Sequence, residues 1–544
     1  MTGPTLKSLL PDELKNGLTS AEKTVLERTP AGKPADLSSG KEEDDKPSNA
    51  DHWGKKRTVR AEFLYWLCTD PEASQRIHAK GVRIGGAKII GALDFRDAVL
   101  PHPLGLIGCA IPDGITLSDA RARSLNLFGS RTGPISADRL KTTGSVFLTK
   151  GFHAEGEVRL LGADIGGDLA CTGATFKNPK GAALSADGLK TTGSVSLKDI
   201  HAEGEVRLPG ADIGGQLSCT GATFNNPKGS ALSADRLKTT GDVFLTKGFH
   251  AEGEVRLLGA DIGGQLSCIG ATFNNPEGKA LNAVGMRVNE VLFWRDLKNK
   301  PQGIVNLMHA RVGQLADDEK SWPDAGKLSL DGFEYKAFVG SAPQTAVERL
   351  RWLRLQLKEK RRFWPQPYEQ LAKVFRNMGH ESDARAVLIA KQEDLRKYGQ
   401  LSWKARVWNR FLGETISHGY RPWKVLYYIG FMIVLGWFLF IQADERGVMQ
   451  PSRELVYLNA EFIATKKLPE LYPVFSPLIY SIDTFFPFVD LHQESYWLPS
   501  ISKPSGLSFK VYLWFHIGMG WLLSTFAVAA LTGLIRKDRS NSLD

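Results

Sequence analysis

Between residues 81 and 342 the chain alternates apolar and polar positions in very short runs, V-x-L or L-x-C, each bounded by glycine. Alternation with period two predicts half-buried β-strands, and no stretch in this region carries a helical period of useful length. The pattern also repeats. A unit of the form A-D-x-L-K-T-T-G…H-A-E-G-E-V-R-L…G-A-D-I-G-G begins at Ala137, Ala186 and Ala234, giving periods of 49 and 48 residues. The first and third units differ at eight of 49 positions, the mark of duplication. Each unit splits into halves of 26 and 23 residues, so one coil takes about 24. Weaker coils begin at Gly81 and Leu104 before the repeats and at Gly303 and Gly326 after them. A propeller blade of the WD type needs about 40–45 residues, four strands and a Trp-Asp signature, which is absent. The pattern predicts a parallel β-solenoid over 81–342, with about ten coils and a length of about 50 Å at about 4.8 Å per coil.

Solenoid ends expose strand edges and require caps. Thr58–Asp70 has the amphipathic pattern of a cap helix, placing an N-terminal cap in 51–80. Residues 1–50 read as disordered or weakly ordered, and 29–50, rich in Lys, Pro, Ser, Glu and Asp, as a disordered linker. After the solenoid, 343–420 reads as a helical linker. Thr345–Lys358 and Pro367–Lys397 are its predicted helices, the second broken into a hairpin at Gly379 with Tyr368, Leu371 and Phe375 facing Ala384, Val387 and Leu388. The hairpin resembles a single tetratricopeptide-like unit. A third amphipathic piece, Trp403–Leu412, is suited to a membrane surface.

Two runs are apolar without a charge: Val425–Ile441 and Val511–Ile535. Each is long enough to cross a bilayer as a helix. Lys404, Arg406, Arg410, Arg421 and Lys424 precede the first, and Arg536 and Lys537 follow the second. The positive-inside rule then sets both termini in the cytoplasm of an inner-membrane protein. The N-terminal residues lack a signal-peptide core. On this reading the two-span module is 421–537, with 538–544 as a cytoplasmic tail and 443–508 on the far side. That loop holds a Pro-bearing segment from Leu471 to Trp497, whose apolar stretch of about 12–14 residues is too short to cross, and 471–491 reads as re-entrant or interfacial.

A span, a short helix and a second span form the plan of two-span ion channels, and 421–537 resembles their pore module, with Ser476–Phe486 as the pore helix. Potassium channels follow that helix with T-x-G-Y-G, whose carbonyls form the filter. Here Pro487, Phe488, Val489 and Asp490 follow, so no potassium filter is expected. Asp483, Asp490 and Glu494 are the candidate ion path, since in a symmetric oligomer one acid per subunit makes a cation-selecting ring. The plainer alternative is an external amphipathic helix with solvated carboxylates. Gly520 with Ser524, and Ala529 with Gly533, are small residues four apart, suited to close helix approach within or between subunits.

The net charge is +10. Residues 343–424 hold 18 Lys and Arg against 8 Asp and Glu, a difference of 10, so this segment alone accounts for the excess. Its position beside the first span points to the anionic cytoplasmic leaflet, and no nucleic-acid motif competes. Five cysteines without a C-x-x-C pair exclude a disulfide scaffold and a thioredoxin-type site. Cys171, Cys219 and Cys268 share a register two coils, or about 9.6 Å, apart, too far to share a metal, and are expected in the core. His153, His201 and His250 recur with Glu155, Glu203 and Glu252, giving two ligands per unit and no third. They read as a duplicated solvated turn, or as a repeating surface for an elongated partner. The G-A-D-I-G-G turns lead into strands, not the helix a phosphate cradle needs. With no nucleophile motif and no metal or cofactor site, the sequence predicts a non-enzyme.

The whole layout is similar to a set of bacterial membrane proteins that join a cytoplasmic solenoid of pentapeptide-like or longer repeats to a short helical linker and a two-span module. RTVRAEFLYWLCTD, the A-x-I-G-G-x-L repeats, QPYEQLAKVFRNMGHESDARAVLIAKQ and YSIDTFFPFVDLHQESYW carry the resemblance. It implies a homo-oligomeric, channel-like protein whose solenoid binds a cytoplasmic ligand or protein; a membrane-anchored scaffold is the alternative. Relatives often bear the label of membrane-associated oxidoreductase, but the chain has no dinucleotide fingerprint, redox cysteine pair or haem motif.

Overall fold

The computed structural model describes residues 5–356, 363–421 and 423–532. The chain divides into two compact units, Met1–Ala384 and Arg385–Asp544.

The first unit is a parallel β-solenoid of about 11 turns. Four columns of short strands run along it, two in each of two sheets of 21 and 16 strands. One coil shows the plan: Lys141–Thr142 and Val146–Phe147 lie in the first sheet, His153–Glu155 and Val158–Arg159 in the second. Strands this short have no partner within their own coil, so their N–H and C=O groups bond the coils before and after. One inward register fixes the stacking: Val82, Leu104, Leu125 and Val146 pair in turn, and the line continues to Leu292, Leu315 and Phe338. A slip of one residue would turn this apolar ladder to solvent. The ladder makes eleven steps over 256 residues (338 − 82), about 23 per coil. The expected figure of about ten is low because the first coils take only 21 or 22 residues. Later coils are lengthened by excursions such as Lys177–Ala182, where the strand register shifts.

Both ends are covered. At the N-terminal end, helix α1 (Ser20–Arg28) starts with a capping box between Thr19 and Glu22. The Glu22 carboxylate, fully buried, also accepts from Arg60 Nε at 2.9 Å and Nη2 at 3.0 Å. Thr58–Arg60 is a strand, paired with Lys88–Ile90, and only Ala61–Thr69 (α2) is helical. Residues 29–50 are not the disordered linker that their composition predicts. Ala35–Asp36 pair in parallel with Ile84–Gly85. Asp45 accepts from Ser39 N, Gly40 N and Arg57 Nη1, so these charges close a turn against the first coils. At the other end lie α3 (Ala346–Arg354) and α4 (Gln366–Asn377), which cover the last coils as expected. Gln370 Nε2 of α4 donates to Tyr335 O at 2.7 Å, and the Phe338 and Phe375 rings are 6.0 Å apart. The first helix ends at Arg354, with Leu355 and Gln356 in a turn, short of the expected Lys358; residues 357–358 lie outside the described residues.

Helix α5 (Glu381–Tyr398) leads into the second unit. That unit contains α6 (Trp403–Ile416), α7 (Lys424–Glu445), α8 (Pro477–Phe485) and α9 (Gly506–Leu531). Among the described residues two helices are long and apolar enough to cross a membrane, over Lys424–Glu445 and Gly506–Ala529, and most of each faces outward. A helix apolar on its outer surface suits lipid rather than water.

Candidate functional site

The short helix α8 packs against both α7 and α9. Proline at its first turn starts it, where no N–H is needed. At nine residues it is too short to span. One face carries Tyr480, Ser481, Asp483 and Thr484, all buried. Two glycines allow the close approach. A Cβ on Gly436 of α7 would overlap Ser481 Oγ and the His516 ring, and a Cβ on Gly520 of α9 would overlap the Phe485 carbonyl. His516, fully buried on α9, completes the contact. Its Nε2 lies 3.0 Å from Ser481 O and its Nδ1 3.2 Å from Tyr512 Oη. These partners set the tautomer: Nε2–H donates to the carbonyl and the tyrosine donates to Nδ1.

Asp483 does not stand open to a path. It is buried, and its carboxylate accepts from Leu491 N at 2.6 Å, Gln493 N at 2.8 Å and Glu494 N at 2.7 Å. It ties the loop after α8 back onto the helix. Asp490 and Glu494, by contrast, are exposed. Asp490 accepts from His492 N at 2.9 Å and lies 2.8 Å from His492 Nδ1. The His492 backbone N–H leads in holding its carboxyl below the usual range, with the imidazole assisting. Partial desolvation, then the Asp483 and Asp490 carboxylates, raise that of Glu494.

The four small residues do not act together. Gly520 serves the contact with α8. Ser524 is buried with its hydroxyl unpartnered, Ala529 is half-buried, and Gly533 lies outside the described residues. Of the basic set, Lys404, Arg406, Arg410 and Arg421 are exposed and Lys424 is half-buried; Arg536 and Lys537 lie outside the described residues. On α6 the basic residues sit among exposed Trp403, Val407 and Trp408, the mixture of an interfacial helix.

In the solenoid, Cys171, Cys219 and Cys268 are fully buried, separated by Leu197 and Leu245 of the intervening coils. Burial pushes the Cys171 thiol up to about 12, far from a reactive thiolate. His153 and His250 pair with their own Glu155 and Glu252 at 2.8 and 2.7 Å, while His201 and Glu203 are 3.7 Å apart. Thr175 and Thr223 occupy the coils between them, and Thr272 the coil after His250. No group of three metal-ligating side chains occurs among the described residues.

His516, Ser481 and Gly436 were not singled out by the sequence. A histidine within an apolar run was the available signal for the first; the other two are ordinary residues in such segments. No family profile matches the chain, and neither the curated proteins nor the solved structures contain a match.

Proposed function

We propose that the protein is a membrane-anchored, oligomeric, channel-like protein, with cations passing through the two-span module and the solenoid binding a partner or ligand in the cytoplasm. One observation carries this reading. A helix too short to span is packed against two helices of spanning length, and the loop behind it presents Asp490 and Glu494 to solvent. In a symmetric assembly Asp490 is the acid best placed to form a ring, since Asp483 is committed to backbone amides. The basic residues of α6 and its exit favour a cytoplasmic, anionic leaflet on that side, hence cytoplasmic termini in an inner membrane. The reading calls for no cofactor, catalytic step or nucleic acid.

A membrane-anchored scaffold without a pore is the second reading. It is favoured by the same Asp483 and by Gly520, because features suited to a pore or to subunit contact instead hold a single chain together. Single-channel recording of the purified protein in a planar bilayer, beside Asp490→Asn, separates the two. Discrete currents whose cation preference falls in the variant support the pore. A silent bilayer together with a monomer in detergent leaves the scaffold.

A further inference from the structure

Along one outer face of the solenoid, charged side chains stand in register from coil to coil. From Lys141 through Asp164, Lys190 and Asp212 to Asp261 and Arg287 the sign changes as the ladder climbs. Opposite charges at adjacent positions support a sheet, and like charges directly opposite destabilise it. The next position breaks the rule, because Arg287 is followed by Arg311. Glu334, one coil further, lies 3.3 Å from Arg311 and offsets that charge alone. No carboxylate among the described residues lies within ion-pair distance of Arg287.

At this break α4 lies beside the last coils and borders an open groove of about 570 Å³. Lys373 of α4 and Lys336 of the last strand line it with the two arginines, and both lack an ion-pair partner among the described residues. Four cations against the single Glu334 leave a surplus of three positive charges (4 − 1) facing one groove. The neutral polar residues there are Asn289, Gln370 and Asn377, and the valines in its wall are buried in the protein. The other like-charged step of the ladder, Arg121 on Lys141, lies outside the groove.

The geometry points to a binding site for a compact polyanion carrying two or more phosphate groups, in the groove between the last coils and α4. Its volume falls within the range of small-molecule sites, roughly 300–1,000 Å³. Guanidinium forks match phosphate oxygens, and the lysines add point charge. A bound polyanion also explains the two stacked arginines, whose repulsion it relieves. The site deepens, and rests on, the reading of the solenoid as a ligand-binding part; it does not require the pore.

The test uses the full chain in nanodiscs of phosphatidylcholine, with pyrophosphate titrated by calorimetry. Saturable binding is expected, weakened at least tenfold in Arg287→Gln/Lys373→Gln and tightened in Glu334→Gln, where a competing carboxylate is removed. Circular dichroism confirms that the variants fold. Vesicles containing cardiolipin, added as competitor, identify the source. Displacement of pyrophosphate by them supports the site with a lipid headgroup as ligand, and indifference to them supports it with a soluble phosphate. Absence of binding to either probe overturns the site. Binding that survives both substitutions also overturns it, while leaving the solenoid a ligand-binding part elsewhere.

Discussion

Arg349 and Asp317 form a two-pronged ion pair sealed from solvent at the C-terminal end of the solenoid. Nη1 donates to Oδ2 at 2.8 Å and Nη2 to Oδ1 at 2.7 Å. Asp317 ends a strand of a last coil, and Arg349 sits in α3. Further hydrogen bonds flank the pair: Arg349 Nε donates to Pro343 O at 2.7 Å, and Trp322 Nε1 donates to Asp317 Oδ2 at 2.8 Å. The guanidinium also lies 3.7 Å over the Phe338 ring. Burying two charges carries a desolvation cost, and only geometry this complete offsets it. Here it fastens the covering helix to the open end of the sheet stack.

Removing one partner should therefore cost more than removing both. Arg349→Met leaves a buried carboxylate with the indole N–H alone, and is expected to destabilise the end of the solenoid by about 3–5 kcal/mol. Arg349→Met with Asp317→Leu should recover much of that loss. Native-state hydrogen exchange on the full chain reads the effect directly, through faster exchange in Leu328–Phe338. Unchanged protection there would show that the fork does not hold the cap.

The acids around α8 divide into a structural and an exposed class, which predicts opposite phenotypes. Asp483→Ala abandons three amide donors, two of them to residues 493 and 494, and should cost about 1–3 kcal/mol. Asp483→Asn keeps part of the anchor and should fall between the two. Asp490→Asn should leave stability within about 0.5 kcal/mol, as surface changes do, and alter cation preference if the pore exists. Thermal unfolding in detergent measures the first comparison. Equal melting temperatures for wild type and Asp483→Ala would mean that the loop is held by other contacts.

Glycine positions on α9 and α7 give a controlled comparison. Gly520→Ala puts a methyl into the Phe485 carbonyl, and Gly436→Ala puts one into Ser481 and His516. Each should cost about 1–3 kcal/mol as an overpacked contact. A Cβ at Gly518, on the same helix as Gly520, meets nothing within 4 Å. Gly518→Ala should thus be neutral, or gain up to about 1 kcal/mol of helix propensity. Yield and melting temperature in detergent rank the three. Equal behaviour at 518 and 520 would remove the close approach of α8 and α9.

Much of this architecture is legible in the residues because it is periodic. The V-x-L runs and the 49- and 48-residue repeat announce strands, and the two uncharged apolar runs announce helices of spanning length. What escapes is set by pairing between distant segments. Ala35–Asp36 have no strand pattern of their own and become a strand only because Ile84–Gly85 offer an edge. Asp483 reads as a free acid, since its partners lie 8 to 11 residues on in a loop without regular structure. The break in the charge ladder shows only once the coils are in register, since Arg287 and Arg311 are 24 residues apart. The helix α4 that lies beside them comes later still.

His418 supplies the pH dependence. It sits in the turn between α6 and α7, where Ser417, His418 and Gly419 all have positive φ, at 47°, 57° and 86°. Its Nε2 is buried and has no hydrogen-bond partner. Burial, then the positive charges of Arg396 and Lys391, lower its pKa from 6.5 to about 4. The unfolded chain therefore binds this proton more readily than the folded one. The stability it contributes is complete above about pH 6.5 and is lost as pH falls from there to about 4. The melting temperature of the protein in detergent should decline over that window by an amount of order a few °C. His418→Gln, which cannot take up the proton, should flatten that part of the profile and leave the rest in place. Superimposable profiles for wild type and variant between pH 7 and pH 4 would assign the decline to other groups.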